Sequence, residues 1–518
     1  MTGAECLLHT LAANRIDVCF MNPGTSEMHF VAGLDHVAGL RGILCLYEGV
    51  CSGAADGYAR MHGSPAAALL HLGPGLANSL SNLHNARKAR SPMVCIVGEH
   101  ATWHRKVDAP LSSDIAAFAR TVSHHIRTVE TSAELGPAVS EAIAAAIAPP
   151  GQIATLIVPA DLSWLRAAPP GPTVVRPTRA VPPSENIRDS ARIFRSAGNA
   201  SALLLGGASA RERGLYAAGR IAAATGARVF IDRSAPCLAS GRGIFAPPKV
   251  PYFPENAAAE LAGLTHLILI EADTPVSFFG YPNTPSSPVP AGCAVSVLAA
   301  REQDGTAALE ALADECGAVP ELRVWRYNAA TGGAAAGDAL TVDAIGETLA
   351  ALLPESAIVS DEMISVSASI LTHLEFAAPH VQLPITGGAI GQGLPVAVGA
   401  AVACPDRKVV ALQADGSAMY SLQALWTMAR ENLDVAVVIF SNRRYRILDI
   451  EMRRTAAPPI GSRADAMLDL RRPDLDFVSL AQGMGVPAAR AATVEEFTSQ
   501  FRAAMSERGP RLIEAVLS

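Results

Sequence analysis

The sequence predicts an α/β protein built from three doubly wound parallel-sheet domains, and three observations carry that prediction. Short apolar runs of strand length alternate with longer Ala-rich segments of helical period, the pattern of parallel sheets covered on both faces. The 518 residues suffice for three domains of about 150 residues each. Two stretches without either periodicity divide the chain: proline-dense AAPPGPTVVRPTRAVPPSENI, Ala167 to Ile187, and Gly-rich NAATGGAAAGDAL, Asn328 to Leu340.

In chain order, the first domain, 1–166, has expected strands at VCFMNP from Val18, GILCLY from Gly42, AALLHL from Ala67, MVCIVG from Met93 and ATLIVP from Ala154. Residues 167–187 read as an extended linker. The second domain, 188–327, has strands at SALLLG from Ser201, ARVFID from Ala227, HLILIE from His266 and AVSVLA from Ala294. The third, 338–518, has AIVSD, VVALQAD, AVVIFSN and LIEAVL. No internal repeat is apparent.

Composition excludes several classes. Half the residues are hydrophobic and 17% charged, as in globular proteins. The net charge is −7 and the basic residues are scattered, which argues against a nucleic-acid partner. No apolar run approaches the roughly 18 residues of a membrane span, and the N-terminal residues lack a basic segment before an apolar one. A cytoplasmic protein with no membrane partner is expected. The nine cysteines show no CxxC pair, so buried free thiols are expected.

The strongest chemical signal is QADGSAMYSLQALWTMARENLDVAVVIFSNRRY. Asp415 ends a strand, and Asn442 follows 27 residues later, after a helical segment and another strand. Such a βαβ unit sets the carboxylate and the amide at neighbouring strand ends, where ligands gather. One carboxylate, one amide oxygen and a nearby carbonyl form an incomplete oxygen shell, which suits Mg²⁺ completed by phosphates and water. The phosphates then lie against Gly416, Ser417 and the following helix N-terminus. By itself the segment also reads as an ordinary Asp-Gly turn.

This segment resembles the diphosphate-binding motif of thiamin-diphosphate enzymes of the 2-oxo acid decarboxylase and acetolactate synthase superfamily. The resemblance implies that Asp415, Asn442 and the carbonyl of Arg444 hold Mg²⁺. The family usually has Gly before the Asp and a second Asn before the Asn; this chain has Ala414 and Ser441. LYEGVCSGAADGYARMHG matches the family's N-terminal motif, in which the residue at Glu48 hydrogen-bonds the cofactor's aminopyrimidine and promotes its activation. In TGGAIGQGLPVAVGAAV, Ile390 stands 25 positions before Asp415. By similarity it is the apolar wedge that bends the cofactor, and the Gly388 carbonyl takes the 4′-amino group. Ser365, with the backbone of Ile364, is similar to a second diphosphate contact; an ordinary Ser turn is equally open there. The resemblance names the three domains pyrimidine-binding, middle and diphosphate-binding.

On the substrate side, MNPGTSEMHF resembles the family's Asn-Pro-Gly loop with Asn22, Pro23, Gly24, Thr25 and Ser26. LLHLGPGLANSL supplies His71, Gly73, Gly75 and Asn78, the last a cofactor contact by similarity. In the benzoylformate decarboxylase-like branch, the nearest one, residues at the Thr25 and His71 positions handle the substrate carboxylate and protons. His71 would protonate the carbanion/enamine left after CO₂ loss. That branch's second His is absent: EADTPVSFFGYPNTP offers Phe278, Phe279, Gly280 and Tyr281. The synthases' Phe-Gln-Glu motif is replaced by DAPLSSDI from Asp108. The middle domain lacks a flavin-type Arg- and Gly-rich pattern, the GGAS turn at Gly206 aside, so FAD is not expected.

RRYRILDIEMRR concentrates Arg443, Arg444, Arg446, Arg453 and Arg454. It reads as a solvated helix face or as a grip on a substrate anion. His100 and His104 lack a third ligand for zinc, and the adjacent His124 and His125 are assigned no role. The expected activity is thiamin-diphosphate- and Mg²⁺-dependent, non-oxidative decarboxylation of a 2-oxo acid to an aldehyde. The alternative is carboligation to a hydroxy ketone or acetohydroxy acid, and the remote one a non-catalytic metabolite-binding relic, against which Glu48 and Ile390 argue. The family places its cofactor between the first domain of one subunit and the third of another. A homodimer is therefore the minimum and a homotetramer the expected assembly.

Overall fold

The computed structural model describes residues 1–319, 339–455 and 461–517, so the expected boundary at 328–340 falls almost wholly outside them. The first sheet contains β1 (Val18–Asn22), β2 (Arg41–Leu44), β3 (Ala66–Leu70), β4 (Met93–Glu99), β5 (His125–Thr128) and β6 (Ile153–Pro159). All pairings are parallel, in the order β2-β1-β3-β4-β6-β5. β3, β6 and nearly all of β4 are buried, as their unbroken apolar runs require. β5 was not among the expected strands: HIRT is a half-buried edge strand.

The middle region contributes β7 (Ser201–Leu205), β8 (Arg228–Ile231), β9 (Leu238–Ser240), β10 (His266–Ile270) and β11 (Ala294–Ala299). Four of these form a parallel sheet in the order β11-β10-β7-β8. The third sheet holds β12 (Ile358–Glu362), β13 (His380–Pro384), β14 (Val409–Ala414), β15 (Val435–Ser441), β16 (Ala488–Ala491) and β17 (Arg511–Val516). Its order is β16-β17-β15-β14-β12-β13-β9. β9 therefore leaves the middle region and pairs antiparallel with β13, Ser240 opposite His380 and Leu238 opposite Gln382. β9, β13 and β16 were not expected from the sequence. Among the described residues no helix is long and apolar enough to cross a membrane.

Strand order reverses between β1 and β3 in the first sheet, between β7 and β10 in the second, and between β12 and β14 in the third. Crevices outside the carboxyl ends of such strand pairs are where doubly wound sheets bind ligands. Residues 170–183 run without regular structure, as the linker composition predicts, and the helix Ser184–Ala197 then begins. The linker is stitched to the first domain: Gly171 N–H donates to Thr10 Oγ1 (3.0 Å) and Val174 N–H to Asn14 Oδ1 (2.7 Å).

The first and third sheets meet through the helices Glu48–His62 and Gly393–Ala403. Their crossing is made of glycine. A Cβ on Gly399 would stand 1.8 Å from the Ala54 carbonyl oxygen, and one on Gly57 would stand 2.2 Å from that of Val396. Beside the crossing, buried Asp56 and Arg60 pair, Arg60 Nη1 donates to the Pro384 carbonyl (2.8 Å), and Gln392 Nε2 donates to Asp56 Oδ2 (2.9 Å). Every charge in this buried junction has a partner, without which burial would be costly.

Candidate active site

At the β1/β3 reversal the chain leaves β1 through Asn22 and Gly24 into a short 3₁₀ turn, Thr25–Glu27, while β3 ends at Leu70 and His71 caps the helix that follows. Glu27 is 1% exposed, and its Oε2 lies 2.8 Å from His71 Nδ1 and accepts the Gly24 N–H at 2.8 Å. With Glu27 ionised, Nδ1 is the donor and Nε2 is left for the half-exposed side of the ring. Two glycines make this pair possible. A Cβ on Gly24 would strike the imidazole at 2.2 Å, and one on Gly98 would lie 1.7 Å from Glu27 Oε1. That Oε1 is buried and has no hydrogen-bond partner. Burial pushes the Glu27 carboxyl up from the ordinary range, against the opposing pull of His71. Thr25 is exposed beside them.

Glu48 opens its helix and is 8% exposed. Its Oε2 accepts from Asn78 Nδ2 at 3.0 Å, and a Cβ on Gly75 would sit 3.1 Å from its Oε1. Four sequence-chosen residues, Thr25, Glu48, His71 and Asn78, thus share one end of the first sheet.

The β12/β14 reversal gathers the rest. Asp415 is 3% exposed; its Oδ1 accepts the Gly416 N–H (2.7 Å) and its Oδ2 the Arg443 N–H (2.5 Å). Burial pushes its carboxyl up. Asn442 Oδ1 accepts the Arg444 N–H (2.9 Å), and the Arg444 carbonyl accepts the Arg446 N–H (2.8 Å). Ser417 Oγ is turned inward, toward the carbonyls of Ala414 (3.1 Å) and Glu362 (3.3 Å). Ser365 is half-buried and follows Ile364, whose φ is +57°. Gly388 has φ +79°, and a Cβ there would meet Phe278 Cζ at 2.4 Å. Ile390, half-buried, follows two residues on.

The arginine cluster is largely neutralised. Arg444 pairs with Asp449 and Asp465, Arg454 with Glu255 and Glu451, and Arg443 with Asp474. The helix Arg446–Arg454 buries no residue, which matches the solvated-face reading. His100 and His104 lie ring to ring at 5.4 Å, and no group of three or more His, Cys, Asp or Glu able to hold a metal ion occurs among the described residues. At the middle switch point the Gly206–Ser209 turn is filled by the chain's own Glu271, whose Oε2 accepts the Ser209 N–H (2.8 Å). All nine cysteines are free.

Two family patterns match the chain. The N-terminal TPP binding domain of thiamine pyrophosphate enzymes matches residues 1–145, and the C-terminal TPP binding domain matches 366–515. A Mycobacterium tuberculosis protein named as the acetolactate synthase large subunit IlvX is 51% identical over 100% of this chain and 99% of its own length. The chain belongs to the thiamine pyrophosphate enzyme family. Within it, the benzoylformate decarboxylase of Pseudomonas aeruginosa is 28% identical over 97% of this chain and 96% of its own. The fold matches that of the thiamine diphosphate-dependent 4-hydroxybenzoylformate decarboxylase of Rhodococcus jostii, with TM-score 0.86 at 24% identity, covering 100% of this chain and 99% of that one.

The third-sheet residues fit the cofactor of a thiamine pyrophosphate enzyme. Asp415 is a desolvated carboxylate whose described partners are backbone N–H groups and no cation. The donor set around it is oxygen only, which suits Mg²⁺. Sequence reasoning missed Glu27, Asn82, Asn85 and Glu362. Asn82 Nδ2 bridges the carbonyls of Gly49 (2.8 Å) and Gly391 (3.2 Å), and Asn85 Nδ2 donates to the Ala389 carbonyl (2.7 Å). Two asparagines three residues apart in LANSLSNLHNARKA, on one helix face, were the available signal. Among the described residues, no hydrogen bond or ion pair joins the side chains of Glu27, Glu48 or His71 to those of Asp415 or Asn442 within one chain.

Proposed function

We propose that this chain uses thiamin diphosphate and Mg²⁺ to decarboxylate a 2-oxo acid without oxidation, releasing an aldehyde. The observation that carries this reading is the Glu27–His71 pair at the first switch point, on the same sheet end as Glu48. When bound, the cofactor supplies an electron sink for the bond to CO₂. Asp415, Asn442 and the Arg444 carbonyl would hold the metal, and Gly416, Ser417 and Ser365 would take the diphosphate. Gly388 and Ile390 would seat the pyrimidine ring, and Glu48, held by the Asn78 amide, would exchange a proton with it. His71, held by Glu27, would deliver a proton to the product carbon from Nε2, with Thr25 beside the substrate carboxylate.

The domain division 1–166, 188–327 and 338–518 belongs to the same reading, as does a cytoplasmic enzyme. So does a homodimer at minimum, with a homotetramer as the assembly. Apolar side chains beside both half-sites support the pairing of copies. Leu46 is 48% exposed two residues before Glu48, and Tyr420 is 56% exposed five residues after Asp415. Carboligation is the second reading, favoured by the 51% identity to a protein named as an acetolactate synthase. Product analysis by NMR, with thiamin diphosphate and Mg²⁺ and with pyruvate or benzoylformate separately, decides between them. Aldehyde selects decarboxylation, and acetolactate from pyruvate selects carboligation. Turnover of neither would sink both for these substrates.

A further inference from the structure

Glu362 ends β12 at the third switch point and is 1% exposed. Its Oε1 accepts the N–H groups of Gly391 (2.7 Å) and Gln392 (3.2 Å). Its Oε2 accepts the Gly393 N–H and Gln413 Nε2, both at 2.8 Å. Four donors surround it, and among the described residues it has no ion-pair partner. Three of the donors are backbone N–H groups at the start of the helix Gly393–Ala403, whose dipoles favour a carboxylate there, while burial pushes the carboxyl up.

These bonds sit on either side of a short loop. Ala389 is tied at both ends to Asn85, its carbonyl accepting at 2.7 Å and its N–H donating to Asn85 Oδ1 at 3.1 Å. Gly391 is tied by its N–H to Glu362 and by its carbonyl to Asn82. Ile390 is thus flanked on both sides by anchored residues. Gln413 extends the frame: its Nε2 also donates to Ser417 Oγ (2.7 Å), and Ser417 Oγ reaches the Glu362 carbonyl. One carboxylate thus joins the loop of Gly388 and Ile390 to the strand end carrying Asp415 and Ser417.

We propose that Glu362 is a positioning residue that fixes the spacing between the pyrimidine-contacting loop, Gly388 to Ile390, and the diphosphate-contacting end of β14. The inference rests on the cofactor reading given above. It touches no reacting atom; it acts through the loop. Substituting Gln keeps the volume and one acceptor oxygen, but turns an amide N–H₂ toward donors, Gly393 N–H among them.

The test is thermal unfolding of the full-length protein at fixed Mg²⁺ against increasing thiamin diphosphate, for wild type and Glu362→Gln, with turnover measured at cofactor saturation. Glu362→Gln is expected to need about tenfold or more cofactor for half the thermal shift, by analogy with outer-shell substitutions in metal sites. Its kcat should stay reduced at saturation, because the ring is held askew, and Glu362→Asp should recover part of both. An unchanged half-shift concentration, or full recovery of kcat at saturation, overturns the proposal. Should Glu362→Gln not fold, Glu362→Asp is read alone: a raised half-shift concentration supports the proposal and an unmoved one overturns it. A wild-type protein whose melting ignores thiamin diphosphate would overturn the cofactor reading and this inference together, whereas a responsive wild type and a variant with the same half-shift concentration overturn this inference alone.

Discussion

His71 and Glu27 illustrate how a buried carboxyl sets a pH dependence. Burial holds Glu27 above the ordinary carboxylate range, so the folded state binds that proton more tightly than the unfolded state does. This carboxyl therefore favours folding at low pH, and its contribution is lost as pH rises through the raised pKa. Glu27→Gln cannot titrate; its urea midpoint should fall less than that of wild type over roughly pH 4 to 7. A parallel pH profile in both proteins would reject the assignment. Glu48→Gln should leave cofactor-dependent thermal stabilisation in place and slow turnover about 10²- to 10⁴-fold, the usual worth of a proton-transfer group; unaltered turnover would sink its role. Asp415, Asn442, Glu48, Ile390 and His71 were legible in the sequence because each lies in a local motif of small residues and turns. Glu27 and Glu362 were not, since nothing within a few residues distinguishes them from surface acids. What makes them significant is a glycine 71 positions away in one case and three backbone N–H groups of another strand's loop in the other.

Among the elements, the strands set in apolar runs were legible and those with polar residues and little apolar sequence were not. β1, β2, β3, β4, β6, β7, β8, β10, β11, β12, β14, β15 and β17 lie in or beside runs rich in apolar residues. β5 and β16 are edge strands with polar residues and partial burial, so their composition resembles loop. β13 carries His380 and Gln382, polar groups that tertiary contacts bury. The Gly-lined crossing of Glu48–His62 over Gly393–Ala403 gives a prediction at this scale. Gly399→Ala places its Cβ 1.8 Å from the Ala54 carbonyl oxygen; the helices must separate, at a cost of about 1–3 kcal/mol. Chemical denaturation measures it, and a change below about 0.5 kcal/mol would show that the crossing yields without cost.

For the whole molecule, the separation of the two half-sites within one chain has a direct test. Glu48 and Asp415 lie on different sheets, and among the described residues no hydrogen bond or ion pair joins their side chains within one chain; in the proposed reading a second copy completes each centre. Glu48→Gln and Asp415→Asn variants, each inactive alone, should regain about a quarter of wild-type activity when unfolded together and refolded at equal amounts, since half the twofold-symmetric dimers then carry one intact centre. Mixtures as inactive as the parents would place each centre within a single chain. The alternation of strand and helix made the three-layer architecture legible, whereas the exchange of β9 into the third sheet was not, because three residues of antiparallel pairing leave no periodic trace.

That exchange bears on how the protein can be taken apart. β9 is the cover on β13: it satisfies an edge that would otherwise present bare N–H and C=O groups to any passing chain. Excising 188–327 as a surplus module would uncover that edge. The shortened protein should self-associate through β13, visible as concentration-dependent scattering, while Pro replacing Gln382, whose N–H faces that edge because the Val381 N–H is committed to the Ala357 carbonyl (3.0 Å), should suppress it.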